Sequence, residues 1–347
     1  IKQDETVYIY GMDADLIVLS LLYSQNYKVV LFRDDPSKRD TQQQQQQQQQ
    51  SQQSEQQTVD TVNIDTLKRF IIQDLKPKQK KPDIKRLVND YSLLMCLVGN
   101  DFLENIPTLY ILDGGLDLIL DIYRQLDKFI TTETGDINYK TFLDILYRLA
   151  KNELQVYSRW CAKETKFKEQ EQLETLEEEA QVTIYNNSKL MGRSQSEIKK
   201  RYYTFYNIED PIKTAENYVR GLQWVMGYYN NHKHNNWSYV YEYHASPFLS
   251  DVIQYIRQGP NKAPFLEDKP VKPLHQLFLV LPETSLKALV QPEDKQKIDT
   301  LLNVEWIKKY FDCNLVMDYI QKDSLWKGRM MHPDLIPLEA LMLLEYT

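Results

Sequence analysis

The stretch TVYIYGMDADLIVLSLLYSQNYKVVLFR, Thr6 to Arg33, leaves the chain least choice of structure. Its first β-branched and aromatic residues predict a strand, Gly11 permits a turn, and the apolar run from Asp13 reads as a buried helix behind an aspartate cap. KVVLFR, Lys28 to Arg33, then reads as a second strand. Strand, helix and strand in this order predict a β/α unit, and ligand sites of open α/β sheets gather at the C-terminal ends of their strands. Asp13 and Asp15 fall at such an end, in apolar surroundings where an unpartnered charge is costly to bury.

Downstream, residues 41–58 collapse into glutamine, with an unbroken run from Gln42 to Gln50 that has no apolar surface to bury. It reads as a disordered insert in a surface loop. The pattern then turns helical. VNIDTLKRFIIQDL and PDIKRLVNDYSLLMCLV carry apolar residues at helix spacing, and Gly99 is the expected stop of the second helix. The basic KPKQKKP between them reads as a solvated linker, and the acidic KEQEQLETLEEEAQ, residues 168–181, as a solvated helix face. EIKKRYYTFYN continues the helical series.

At 347 residues the chain has room for one large domain or two ordinary ones. No apolar run is long enough to span a bilayer, so no membrane is expected among the partners. A formal net charge of −7 argues against a generally basic nucleic-acid coat and leaves room for a local metal-lined groove. Cys96, Cys161 and Cys313 lie far apart without paired ligand spacing and read as free thiols. The chain opens on Ile1 and enters a strand almost at once, which predicts part of a longer polypeptide.

A second carboxylate, Asp101 in LLMCLVGNDFLENIP, follows an apolar helix and its glycine stop. Asp13, Asp15 and Asp101 could therefore share one site as hard oxygen ligands of Mg²⁺ or Mn²⁺ if their elements lie side by side. Other readings stand beside this one. Asp13 and Asp15 could cap the helix and Asp101 could be a turn residue, or the D-x-D pair could serve an aspartyl phosphatase or a nucleotide-sugar transferase.

YIYGMDADLIVLSL followed by LVGNDFLENIPTLYILDGGLDLILDIY resembles the nuclease core of the XRN family of 5′→3′ exoribonucleases. The resemblance continues through YVRGLQWVMGYYNNHKHNNWSYVYEYHASPFLSD and PVKPLHQLFLVLPETS. It implies an α/β nuclease core fragment of strand-helix units, PIN- or flap-nuclease-like, followed by a large mainly α-helical region. The implied domains are residues 1–40, the C-terminal part of the nuclease N-terminal domain; the insert at 41–58; and a helical domain at 59–347 that carries Asp101 into the active site. The resemblance further implies that Asp13, Asp15 and Asp101 belong to an acidic cluster for Mg²⁺ or Mn²⁺. The implied reaction is metal-dependent hydrolysis of RNA bearing a 5′-monophosphate, in the nucleus or the cytoplasm.

Family members carry further acidic ligands, a Glu-x-Glu element and phosphate-binding basic residues upstream of where this chain starts, so full activity is expected of a longer chain or an assembly. A catalytically inactive scaffold or RNA-binding module is the alternative. Glu104 and Asn105 stand where the family usually has Pro-His, and Tyr239 and Glu242 where it usually has Trp and Pro. Trp237 is a candidate for stacking on a base and His244 for touching RNA, against packing roles for both. Trp224 reads as core. His232 and His234 do not make a zinc site.

Overall fold

The computed structural model describes residues 5–34, 59–75, 83–162, 183–185, 194–230, 236–270, 272–289, 291–305, 307–308, 316–320 and 328–331. The glutamine tract, the 76–82 linker, the acidic 168–181 stretch, His232, His234 and Cys313 lie outside the described residues. The chain divides into two compact units. One comprises Ile1–Lys151, Val219–Lys233 and Ile256–Gly259, the other Asn152–Tyr218, His234–Tyr255 and Pro260–Thr347.

The first unit opens as expected with β1 (Thr6–Tyr10), α1 (Asp15–Tyr23) and β2 (Lys28–Asp34). β1 and β2 pair in parallel, Thr6 opposite Lys28 through Tyr10 opposite Phe32. Successive side chains of β1 point to opposite faces, so Tyr8 and Tyr10 are exposed while Val7 and Ile9 are half-buried. A third strand, β3 (Val59–Asn63), pairs antiparallel with β2 from Asp34 opposite Val59 to Val30 opposite Asn63. This corrects the helix expected from Val62. Val59, Thr61 and Val62 satisfy their backbone on β2, and Asn63 instead caps α2 (Ile64–Leu75), its side chain accepting from Thr66 N–H at 2.9 Å.

α3 (Ile84–Leu97) starts behind Asp83, whose carboxylate accepts from the Arg86 N–H. α1 and α2 both pack on β2 and all three helices pack on one another, burying Leu21, Leu31, Ile64, Leu75, Leu87, Leu93 and Leu94. α4 (Gly115–Tyr123) and α5 (Tyr139–Ala150) extend the layer around Ile119, Phe142 and Ile145. Asp90 of α3 is fully buried and accepts from Tyr123 Oη at 2.6 Å, from the N–H groups of Ile130 and Thr131 at 2.9 and 2.8 Å, and from the Thr131 hydroxyl.

The second unit contains α6 (Glu153–Ala162) and α7 (Gln195–Phe205), packed around Tyr157, Trp160, Tyr202, Tyr203, Tyr206 and Phe248. The rings meet mainly edge to face, Tyr157 to Phe248 at 5.2 Å and Tyr202 to Phe248 at 5.0 Å between centroids. α8 (Pro211–Tyr229) and α9 (Leu249–Gln258) contribute residues to both units. Three short strands, β4 (Thr183–Tyr185), β5 (Val316–Asp318) and β6 (Arg329–Met331), form a second sheet. α10 (Pro273–Val280), α11 (Glu283–Leu289) and α12 (Pro292–Leu302) surround a small core of Leu286, Ile298 and Leu301. Cys96 and Cys161 are buried free thiols, and burial pushes them up to about 12 and about 11. Among the described residues no helix is long and apolar enough to cross a membrane.

Candidate metal centre

The Gly11–Ala14 loop between β1 and α1 is tied down through its backbone. Gly11 N–H donates to the Phe32 carbonyl at 3.1 Å, and the Arg33 guanidinium donates to the carbonyls of Met12 and Asp13. Asp34 N–H points at Met12 Sδ, 3.1 Å away. β2 thus fixes the loop that carries the first carboxylate. Ala14, with no capping side chain, occupies the N-cap position, and Asp13 Oδ1 accepts instead from the N–H of Asp15 at 3.1 Å. Asp15, in the first turn of α1, lies where the helix dipole favours negative charge.

Asp101 arrives from the other side. α3 ends at Leu97, and Gly99 turns the chain at φ +95°, a left-handed conformation that L side chains rarely adopt. The Asn100 side chain then accepts from the N–H groups of Phe102 and Leu103, both at 2.9 Å, so Asp101 projects from a closed turn. Ile106 N–H returns to the Leu97 carbonyl at 3.0 Å. Glu104 and Asn105 are accommodated inside this turn. A methyl group on Gly99 would meet Asn105 N at 3.0 Å in addition to the backbone strain. Gly99→Ala is expected to cost about 2 kcal/mol, seen as a lower thermal midpoint.

Because α1 packs against α3, the two carriers meet. One carboxylate oxygen from each of Asp13, Asp15 and Asp101 lies within 4.8 Å of the others, with Asp13 and Asp101 exposed and Asp15 half-buried. Burial raises the Asp15 carboxyl above its usual range, and the charges of Asp101 and Asp13 add to this. Hydrogen bonds from Tyr229 and the Asp101 backbone oppose the rise. Three hard oxygen donors converging in this way suit a divalent cation, which would relieve their mutual repulsion. The donor set fits Mg²⁺ or Mn²⁺.

Sequence reasoning missed Tyr229 and Arg33. Tyr229 Oη donates to Asp15 Oδ2 at 3.0 Å across 214 positions of chain, a separation at which periodicity carries no signal. Arg33 acts through backbone carbonyls, which no side-chain pattern marks. Trp224 is buried as expected.

Trp237 and His244 belong to the second unit. Trp237 is 59% exposed, which removes the buried packing role considered for it, and His244 is half-buried. The Trp237 segment is held from behind by Asp268, which accepts from the backbone of Trp237 and Ser238, the Ser238 hydroxyl and Asn236 Nδ2. Burial works against the ionised Asp268, yet the Ser238 hydroxyl and the N–H groups of Trp237 and Ser238 together hold its carboxyl below the usual range. A depressed folded value means that this hold is complete above the unfolded value of about 3.9 and is lost as pH falls through the folded one. Amide exchange of Trp237 and Ser238, corrected for intrinsic rates, is expected to quicken below about pH 4, and Asp268→Asn to show the faster exchange already at pH 7.

Residues 81–210 and 195–298 match the family model described as the Xrn1 helical domain, together more than half of the chain. The chain is 26% identical to human 5′-3′ exoribonuclease 1 over 94% of its length, and 23% identical to the Schizosaccharomyces pombe 5′-3′ exoribonuclease 1 over 94%. It is 23% identical to the Drosophila melanogaster 5′-3′ exoribonuclease 2 homolog over 78%. It spans 22%, 32% and 36% of the length of these three relatives. The helical-domain model covers more than half of the chain, and the relatives align along most of it: the chain belongs to the XRN family.

Proposed function

We propose that this chain supplies part of the active site of a 5′→3′ exoribonuclease that hydrolyses RNA bearing a 5′-monophosphate, within a longer polypeptide or an assembly. The observation that carries the reading is the convergence of Asp13, Asp15 and Asp101, from elements 86 residues apart, within 4.8 Å in a chain of this family. In this reading residues 1–40 close a PIN-like nuclease core, and the helical domain from residue 59 brings Asp101 to it. A divalent cation bound by the cluster would supply charge neutralisation and an activated water for phosphodiester hydrolysis.

The protein's own groups have separable tasks. Asp13 and Asp101 are exposed and so open toward substrate and solvent, whereas Asp15 is anchored from within. Arg33 keeps the Asp13 backbone in place without touching its carboxylate oxygens. In the second unit, the exposed ring of Trp237 on its Asp268 clamp offers a face for base stacking, and His244 a polar contact to RNA.

The test gives the whole protein RNA with a 5′-monophosphate, a 5′-triphosphate or a 5′-hydroxyl, in Mg²⁺ or in EDTA. Release of mononucleotides from the monophosphate in Mg²⁺ alone is expected. Equal degradation of all three RNAs, or persistence in EDTA, would overturn the assignment. Retention of RNA without degradation would mark the non-catalytic relative instead.

A further inference from the structure

We propose that Tyr229 is a positioning residue for the cation-binding carboxylate of Asp15, held by an aromatic brace that the last turns of α8 build beside the cluster. The inference rests on the metal-site reading above and extends it to a residue outside the acidic cluster.

Tyr229 is 4% exposed, and its hydroxyl donates to Asp15 Oδ2 at 3.0 Å. A carboxylate turns easily about its terminal torsion, which has broad two-fold wells. A buried phenol on one oxygen removes that freedom before any cation arrives, and with the Asp101 backbone N–H as a second donor to this carboxylate, lone pairs are still left for coordination. The donor is itself fixed. Phe102, the residue after Asp101, meets the rings of Trp224, Tyr228 and Tyr229 edge-on at 5.0, 5.6 and 6.4 Å between centroids, and Trp224 stacks on Tyr228 at 5.2 Å.

One helix end therefore touches both carriers of the cluster, α1 through a hydrogen bond to Asp15 and the Asp101 turn through the ring of Phe102. The same segment is anchored farther back. Gln223 Nε2 donates to the hydroxyl of Tyr139 on α5, and Val219, Leu222, Val225 and Met226 are buried. A buried ring set against Phe102 and Tyr228 holds its hydroxyl more firmly than a surface side chain would.

The experiment is isothermal titration of the metal-free whole protein with Mn²⁺, alongside thermal denaturation in EDTA. Tyr229→Phe keeps the ring and deletes only the donor. It is expected to weaken Mn²⁺ binding by about 10- to 100-fold, the range for losing a hydrogen bond to a ligand. Tyr123→Phe is the structural control, because its hydroxyl serves Asp90 and not the cluster. This control is expected to lower the thermal midpoint and leave Mn²⁺ affinity unchanged. Asp15→Asn reports on the underlying reading. Loss of Mn²⁺ binding in Asp15→Asn with none in Tyr229→Phe overturns the role of Tyr229 alone. Unchanged binding in both overturns the metal site itself. A loss in Tyr229→Phe no greater than in Tyr123→Phe makes the hydroxyl merely structural and also overturns the proposal.

Discussion

Replacing Asp101 by alanine is expected to slow hydrolysis of 5′-phosphorylated RNA on the order of 10³-fold in the whole protein while barely moving its thermal midpoint. Asp101 is exposed, and the hydrogen bonds of its turn come from Asn100 and the backbone, so truncating its side chain removes no packing. Asp13→Ala is expected to lose as much activity and, in addition, about 1 kcal/mol of stability, because its Oδ1 accepts from the first N–H of α1. Single-turnover rates in Mg²⁺ and denaturation in EDTA separate the two quantities. Wild-type rates in both variants would remove these aspartates from the chemistry.

Loss of Asp90 is expected to do the opposite, destroying stability without touching the cluster. Its carboxylate is fully buried and collects two backbone N–H groups and two hydroxyls. Asp90→Ala leaves four donors without their acceptor, at about 1 kcal/mol or more each, so a loss on the order of 4 kcal/mol is expected, read from amide exchange at Ile130 and Thr131. Burial pushes the Asp90 carboxyl up to about 6 against the pull of those hydrogen bonds. The folded value then lies above the unfolded one of about 3.9, so the folded protein binds more protons between them and stability falls as pH rises from about 4 to 6. The fall amounts to roughly 3 kcal/mol. Asp90→Asn is expected to abolish this slope, and an unchanged slope would place the titrating group elsewhere.

The β1–α1–β2 unit was legible in sequence because each period shows within a few residues: alternation in Thr6–Tyr10, an apolar helix from Asp15, then Lys28–Asp34. β3 was not, because Val62, Ile64 and Leu67 also fit a helix and its pairing partner lies across the glutamine tract. Asp13, Asp15 and Asp101 were each visible as residues behind an apolar element. Their meeting depends on α1 packing against α3, which spacing along the chain does not encode. Tyr229 and Phe102 were invisible for a related reason. A chain of 24 tyrosines does not reveal which hydroxyl reaches a carboxylate.

The register of β2 with β3 bears on how this family member has been free to vary. Asp34 and Val59, which bound residues 35–58, are direct partners in the ladder, so that segment leaves and re-enters the fold at one place. The entropy of closing such a loop grows only with the logarithm of its length, and doubling it costs roughly 0.6 kcal/mol. By that scaling, a change in the number of glutamines between two ends paired in this way is a small entropic term. The Gly11–Ala14 loop lies at this same end of β2, Asp34 N–H being 3.1 Å from Met12 Sδ, so the point where the segment departs adjoins the loop that carries Asp13.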